Sequence, residues 1–205
     1  MRARGCHLWI GSALFVTGAI ALGWCVWVWH EAAVAQSQAK RWLRQQRPAH
    51  ATASPDVMTR GHAAAPRVLI PKLHRGDVVA ELDIPRLRVS VMVFEGDDAG
   101  ILKIGAGHIA GTGLPLQGGN IGIAAHRDTF FRPLRFIRRG DVISLKARAG
   151  TSRFAVRDIE IVSPTDTKIL AAAPGRDLTL VTCYPFFYVG SAPERFIVHA
   201  QRIAA

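Results

Sequence analysis

Asp177-Leu178-Thr179-Leu180-Val181-Thr182-Cys183 is a run of β-type residues that ends on a thiol. Its β-branched and apolar side chains suit a strand. Tyr184-Pro185 follows at once. Proline offers a sheet no amide hydrogen, so the strand stops near Cys183 and the thiol can lie at a sheet rim. Further on, Arg195-Phe196-Ile197-Val198-His199-Ala200 opens another β-type run, and upstream Ile121-Gly122-Ile123-Ala124-Ala125 leads into His126-Arg127-Asp128. Cys183 is the only cysteine after Cys25. A free cysteine is most often small buried filler. A lone thiol at a strand end, with a histidine closing one strand and an arginine opening another, instead suggests acyl transfer by a cysteine nucleophile.

Outward from that strand, short β-type runs recur. Val78–Ile84 is stopped by Pro85, and Arg88–Phe94 alternates through Val89, Val91 and Val93. Residues 97–104 read as a short helical turn capped by Asp97 or Asp98. Asn120–Ala125 is apolar enough to be buried on both faces, and Phe131–Ile137 reads as a short helix packing Phe131, Leu134 and Ile137. Asp141–Ala147 and Thr151–Val162 flank the hairpin signal Arg148-Ala149-Gly150. Ser163–Arg176, with Pro164, Pro174 and Gly175, is a long connection before the final strands Asp177–Cys183 and Arg195–Ile203. About eight short strands and few helices predict an all-β barrel or sandwich. Short turns between consecutive strands favour antiparallel pairing, and closure would remove exposed edges.

The other end of the chain carries a different signal. Leu8 to Trp29 is a 22-residue stretch without a charge, with Trp24, Trp27 and Trp29 at its end. As a helix it reaches about 33 Å, enough for a hydrocarbon core of about 30 Å, and clustered tryptophans suit a membrane interface. A cleaved leader would have an apolar region of about 7–15 residues; Ala32-Ala33-Val34-Ala35 imitates a cleavage site, but the length favours a retained anchor. Residues 31–47 are rich in alanine, glutamine and arginine and continue the helix outward, whereas residues 48–76 hold four prolines and read as linker. The expected organisation is a membrane anchor over 1–30, a helical then flexible basic linker over 31–77, and a β-domain over 78–205.

The 205-residue chain carries a formal net charge of +11, of which +7 falls in residues 1–77. A basic juxtamembrane stretch suits anionic lipid head groups. In the β-domain, arginines interleave with acids, so a nucleic-acid partner is not expected. Arg2 and Arg4 before the apolar run oppose Lys40, Arg41, Arg44 and Arg47 after it, so charge alone leaves the orientation open.

A thiol with an ordinary pKa of about 8.5 is only a few per cent thiolate at neutral pH and needs a base or a nearby cation. His126 can take the thiol proton or, as imidazolium, protonate a leaving amine. Arg195 can stabilise an oxyanion or hold a substrate carbonyl. Among eight histidines, His108 in Gly107-His108-Ile109 is the closest competitor, and His199 reads as structural. His-Arg-Asp also occurs in kinase catalytic loops, but no Gly-rich phosphate loop accompanies it. Asp97-Asp98 lacks calcium-loop spacing, and no cysteine or histidine pair has zinc spacing, so no metal or cofactor is expected.

Three segments together resemble a known family. Thr179-Leu180-Val181-Thr182-Cys183 matches the TLxTC signature of sortases, Asn120 through His126-Arg127-Asp128-Thr129-Phe130-Phe131 is similar to their catalytic-histidine segment, and Pro193-Glu194-Arg195-Phe196-Ile197-Val198 resembles their arginine segment. Ala125 stands where the family usually has glycine. The resemblance covers about residues 78–203, and its wording is most like class D sortases. It implies an eight-stranded sortase-like β-barrel behind an N-terminal transmembrane helix, and a membrane-anchored cysteine transpeptidase with its catalytic domain outside the cytoplasm. It implies a protein substrate with a C-terminal, LPxTG-like sorting signal and an amine acceptor on a cell-wall precursor or pilin-like lysine. Carried onto this chain, Cys183 is the nucleophile, His126 the acid/base and Arg195 the oxyanion or positioning group. Thr182, Ile169 and Leu170 become substrate-binding candidates, the last two in the Ser163–Arg176 connection. A thiol hydrolase with the same three residues and a non-catalytic, membrane-tethered β-domain are the alternatives.

Overall fold

The structure, a computed structural model, describes residues 3–46, 73–115, 117–173, 175 and 177–204, with side chains from Leu14 onward. Most of the linker expected over 48–76 therefore lies outside the described residues. Helix α1 (Ala3–Gln46) comes first, then β1 (Val78–Ile84), β2 (Val89–Glu95), α2 (Ala99–Ile104), β3 (Ala106–His108), β4 (Ile121–Ala124), β5 (Val142–Ala147), β6 (Gly150–Val162), β7 (Leu178–Tyr184) and β8 (Glu194–Ile203). The eight strands close into a barrel in the order β1-β2-β3-β4-β7-β8-β6-β5.

Pairing is mixed, which corrects the antiparallel expectation. β2 runs parallel to β3 after the α2 crossover, and β4 runs parallel to β7 across the whole β5–β6 hairpin. Parallel neighbours require such crossover connections. Strand β3, three residues long, was not among the expected strands; it carries His108 between β2 and β4. Asp98 caps α2 by accepting from the amides of Gly100 and Ile101, and the Arg75 guanidinium beside it holds its carboxyl far below the usual range.

The barrel interior follows from side-chain alternation. Strand β5 buries every second residue, and Leu82, Ile121, Leu145, Phe154, Leu178 and Leu180 are fully enclosed. Phe131, Leu134 and Ile137 around the 3-10 turn Arg132–Phe136 close one part of this core, as their spacing predicted.

Helix α1 begins with an apolar segment long enough to cross a membrane. Its C-terminal third does not stand clear of the barrel. Ala39 and Leu43 are buried against Met92, Phe94 and Ile101 in a second, smaller core. Gln36 donates through Nε2 to the carbonyl of Ile104 at 2.6 Å and accepts the amide of Met92 at 2.7 Å. β3 pairs with β2 only from Val93 onward, so the Gln36 side chain takes over the strand edge at Met92. Gly105 makes the approach possible: a Cβ there would lie 2.7 Å from both Gln36 Nε2 and the Met92 carbonyl. Lys40 pairs with buried Glu81, and Lys103 pairs with Glu31 at 2.7 Å while lying over the Trp27 ring.

Candidate active site at the end of β7

Alternation along β7 assigns the faces. Leu178 and Leu180 point into the core, and Thr182, of the same parity, is buried. Thr179, Val181 and Cys183 therefore face outward. On β8, Val198 and Ala200 point inward, which sets Arg195, Ile197 and His199 on the outer face. Cys183 and Arg195 are direct partners in the antiparallel β7–β8 ladder, so both side chains project from one face with Cβ atoms about 5 Å apart. Both are half-buried. Arg195 Nη1 donates to the carbonyls of Ala192 and Glu194. A guanidinium carries five donors, so Nε and Nη2 can still serve a substrate oxygen.

The histidine segment is stitched to the same strand. Ala124 is in register with Val181, the Ala125 amide donates to the Val181 carbonyl at 3.2 Å, and the Thr182 hydroxyl donates to the Ala125 carbonyl at 2.8 Å. His126 and Cys183 each follow this paired position by two residues, and both are half-buried. Thr182 faces the interior and acts on the backbone before His126, not on the groove. Arg127 donates to the carbonyls of Tyr188 and Gly190 and lies over the Tyr188 ring, tying the histidine segment to the β7–β8 loop.

The floor of the outer face is Gly122, Ala124 and Val181, and two loops close over it. A Cβ on Gly122 would lie 3.0 Å from Thr112 Cγ2, 3.1 Å from Leu170 Cδ2 and 3.2 Å from Ile109 Cβ. Leu170 keeps exposed surface over this floor, whereas Ile169 is buried, so of the two only Leu170 has surface to offer a ligand.

A buried hydrogen-bond chain holds the β6–β7 loop in place. The Asn120 amide donates to the carbonyls of Ile169 at 3.3 Å and Ala171 at 3.5 Å, which leaves its oxygen to accept the Thr179 hydroxyl at 2.9 Å. The Thr179 oxygen must then accept from Nδ1–H of His199 at 3.0 Å, and Nε2 of His199 meets Glu160 at 2.8 Å. Thr179 and Asn120 lie within the segments that carry the resemblance, but a linkage between β4 and β7 has no local signature in the sequence. His108 is fixed elsewhere: its ring meets Glu95 at 2.7 Å and the Gly113 carbonyl at 2.9 Å, a buried structural setting that removes it as a rival to His126.

A closed mixed barrel with a lone thiol and a guanidinium paired across its last two strands defines a thiol enzyme scaffold. The sortase domain family model matches residues 82–203, and the chain belongs to the sortase family of cysteine transpeptidases. Sortase D of Bacillus subtilis is 35% identical over 133 residues, which span 64% of this chain and 67% of that protein. The solved structure of sortase A from Corynebacterium diphtheriae is 31% identical with a TM-score of 0.58, covering 63% of this chain and 62% of that one. Sortase C from Clostridium perfringens, solved with the C-terminal cell wall sorting motif, is 28% identical with a TM-score of 0.58, covering 65% and 74%.

Proposed function

We propose that this chain is a membrane-anchored transpeptidase, with its N-terminus inside and its barrel outside the cytoplasmic membrane, and that Cys183, His126 and Arg195 carry the chemistry. The observation behind the assignment is the cross-strand pairing of Cys183 with Arg195 beside the stitched histidine segment.

The reaction begins with a sorting signal of LPxTG type lying over Gly122, Ala124 and Val181. Cys183 Sγ attacks the scissile carbonyl while its proton passes to His126. Negative charge collects on the carbonyl oxygen, where the Arg195 guanidinium stabilises it. The C–N bond then breaks, imidazolium His126 protonates the departing amine, and a thioester remains on Cys183. An amine from a cell-wall precursor or a pilin-like lysine attacks that thioester, gives its proton to His126, and expels the Cys183 thiolate. Leu170 supplies apolar contact from the β6–β7 loop.

The test is mass spectrometry of the protein incubated with an LPxTG-type peptide. The expected product is an adduct at Cys183 equal to the N-terminal fragment less water, discharged by added amine. An adduct that persists in Cys183→Ala would overturn the assignment, and discharge by water with no effect of amine would make the chain a hydrolase.

A further inference from the structure

Helix α1 links two levels of the molecule. Its apolar run ends at Trp29, which is 82% exposed, with Trp24 and Trp27 also outside the protein core. Contact with the folded domain begins within that belt, where Lys103 lies over the Trp27 ring, and continues at Glu31, which pairs with the same lysine. It continues through Gln36, Ala39, Lys40 and Leu43, a spacing that lies on one helical face. As α1 runs outward from Gln36 to Lys40, its partners on β2 step from Met92 to Ser90. The helix and β2 therefore lie side by side in opposite directions.

The hydrogen-bond rows carry this alignment round to the thiol. Glu95 pairs with His108, His108 with Ile123, and Ile123 with Leu180. β2 and β7 run in opposite directions, so Cys183 shares a row with Met92, the residue Gln36 holds. The thiol end of β7 thus points away from the tryptophan belt. Seven residues from Trp29 to Gln36 give about 10.5 Å of helix, and the tilt of barrel strands across three steps adds up to about 10 Å.

We propose that α1 is a ruler: docked on the barrel, it holds the Cys183 groove roughly 10–20 Å above the bilayer and sets the shortest distance between the cleaved bond and a substrate's own membrane segment. The proposal rests on the anchored-transpeptidase reading above and adds a selection rule to it. The ligand is a polypeptide held in the same bilayer, whose extended chain must climb to the groove. At 3.3–3.6 Å per residue that climb takes about 3–6 residues. Shorter spacers cannot reach. Longer ones lose only about threefold per doubling, the slow cost of closing a flexible loop. A swinging tether would set no such lower limit.

The test uses the full chain in phosphatidylglycerol–phosphatidylethanolamine vesicles. Probes carry an LPxTG motif, a Gly/Ser spacer of 0–20 residues and a 20-residue Leu/Ala membrane helix; the bare motif peptide is assayed in parallel. Cleavage of anchored probes should begin at about 3–6 spacer residues. Inserting a seven-residue, Ala-rich helical segment between His30 and Glu31 preserves the docked face from Glu31 onward, gives up the Lys103–Trp27 contact, and lifts the barrel by about 10.5 Å. The shortest cleaved spacer should then grow by about three residues. Uncoupling the helix with Gln36→Ala plus Leu43→Asp should let the shortest spacers be cleaved, and in both variants the bare peptide should be cut as before. An onset that stays put after the insertion, with the bare peptide still cut, overturns the ruler alone. Failure of the unmodified protein to cut any probe overturns the transpeptidase reading and the ruler with it.

Discussion

Cys183 and Arg195 stand opposite each other on β7 and β8, so the thiol and the guanidinium share one face of the barrel although a whole loop separates them in the chain. This pairing fixes their separation by backbone hydrogen bonds and not by side-chain packing. Removal of either group should therefore leave the fold intact. Cys183→Ala is expected to abolish acyl-enzyme formation, and Arg195→Ala to lower kcat/KM by about 10²–10³-fold, the usual effect of losing one oxyanion donor. Arg195→Lys should recover little, because an ammonium lacks the planar fork. Peptide-cleavage kinetics with circular dichroism of each variant check both halves.

Thr179→Val keeps the shape of the side chain but strips the hydroxyl that joins Asn120 to His199. Two buried polar groups lose a partner, at a cost of about 1–3 kcal/mol each. The expected result is a lower denaturant midpoint and a raised KM, because the Ile169 and Ala171 carbonyls lose the group that holds Asn120 against them. Thr179→Ser should restore both measurements.

Gly122→Ala probes the groove directly. The new methyl would meet Thr112 Cγ2, Leu170 Cδ2 and Ile109 Cβ at 3.0–3.2 Å; the first two are side-chain ends that can turn aside, whereas the third moves only with its loop backbone. The barrel should therefore fold, with a stability loss of about 1–3 kcal/mol. The loops over the groove should shift outward, and KM for the sorting peptide should rise more than kcat falls. A variant with unchanged kinetics would show that Leu170 does not border the bound peptide.

Acid sensitivity has a located source. Arg86 binds Asp141 through two nitrogens, Arg138 adds its amide, and together they hold the Asp141 carboxyl below its ordinary value near 3.8. A carboxyl depressed in the folded state stabilises the fold above the unfolded value. That contribution fades as pH falls below about 4, through the folded value. Asp141→Asn should be less stable at pH 7 by about 1–3 kcal/mol and should lose less stability than the parent between pH 4 and pH 2. Urea melts across that range test the sign.

The strands that carry the site were legible in the sequence because their signals are local. Val89, Val91 and Val93 alternate, Pro85 and Pro185 stop strands, and the TLxTC run ends on the thiol. What the residues did not reveal depends on distant partners. β3 is three residues long and exists because β2 and β4 flank it. The parallel β4–β7 pair joins segments more than fifty residues apart, and nothing near Thr179 announces Asn120. Residues 31–46 read correctly as helix, but the helix's berth on Met92 depends on Gly105, an unremarkable glycine until the close approach is seen.

The rim position of Cys183 also decides how the domain meets oxidants. It is the sole sulfhydryl after Cys25, and it is half-exposed. A sulfenic acid formed there has no resolving cysteine within the barrel to condense with. Recovery must come from an external thiol, and without one the group can proceed to the sulfinic form, from which a chain like this does not return.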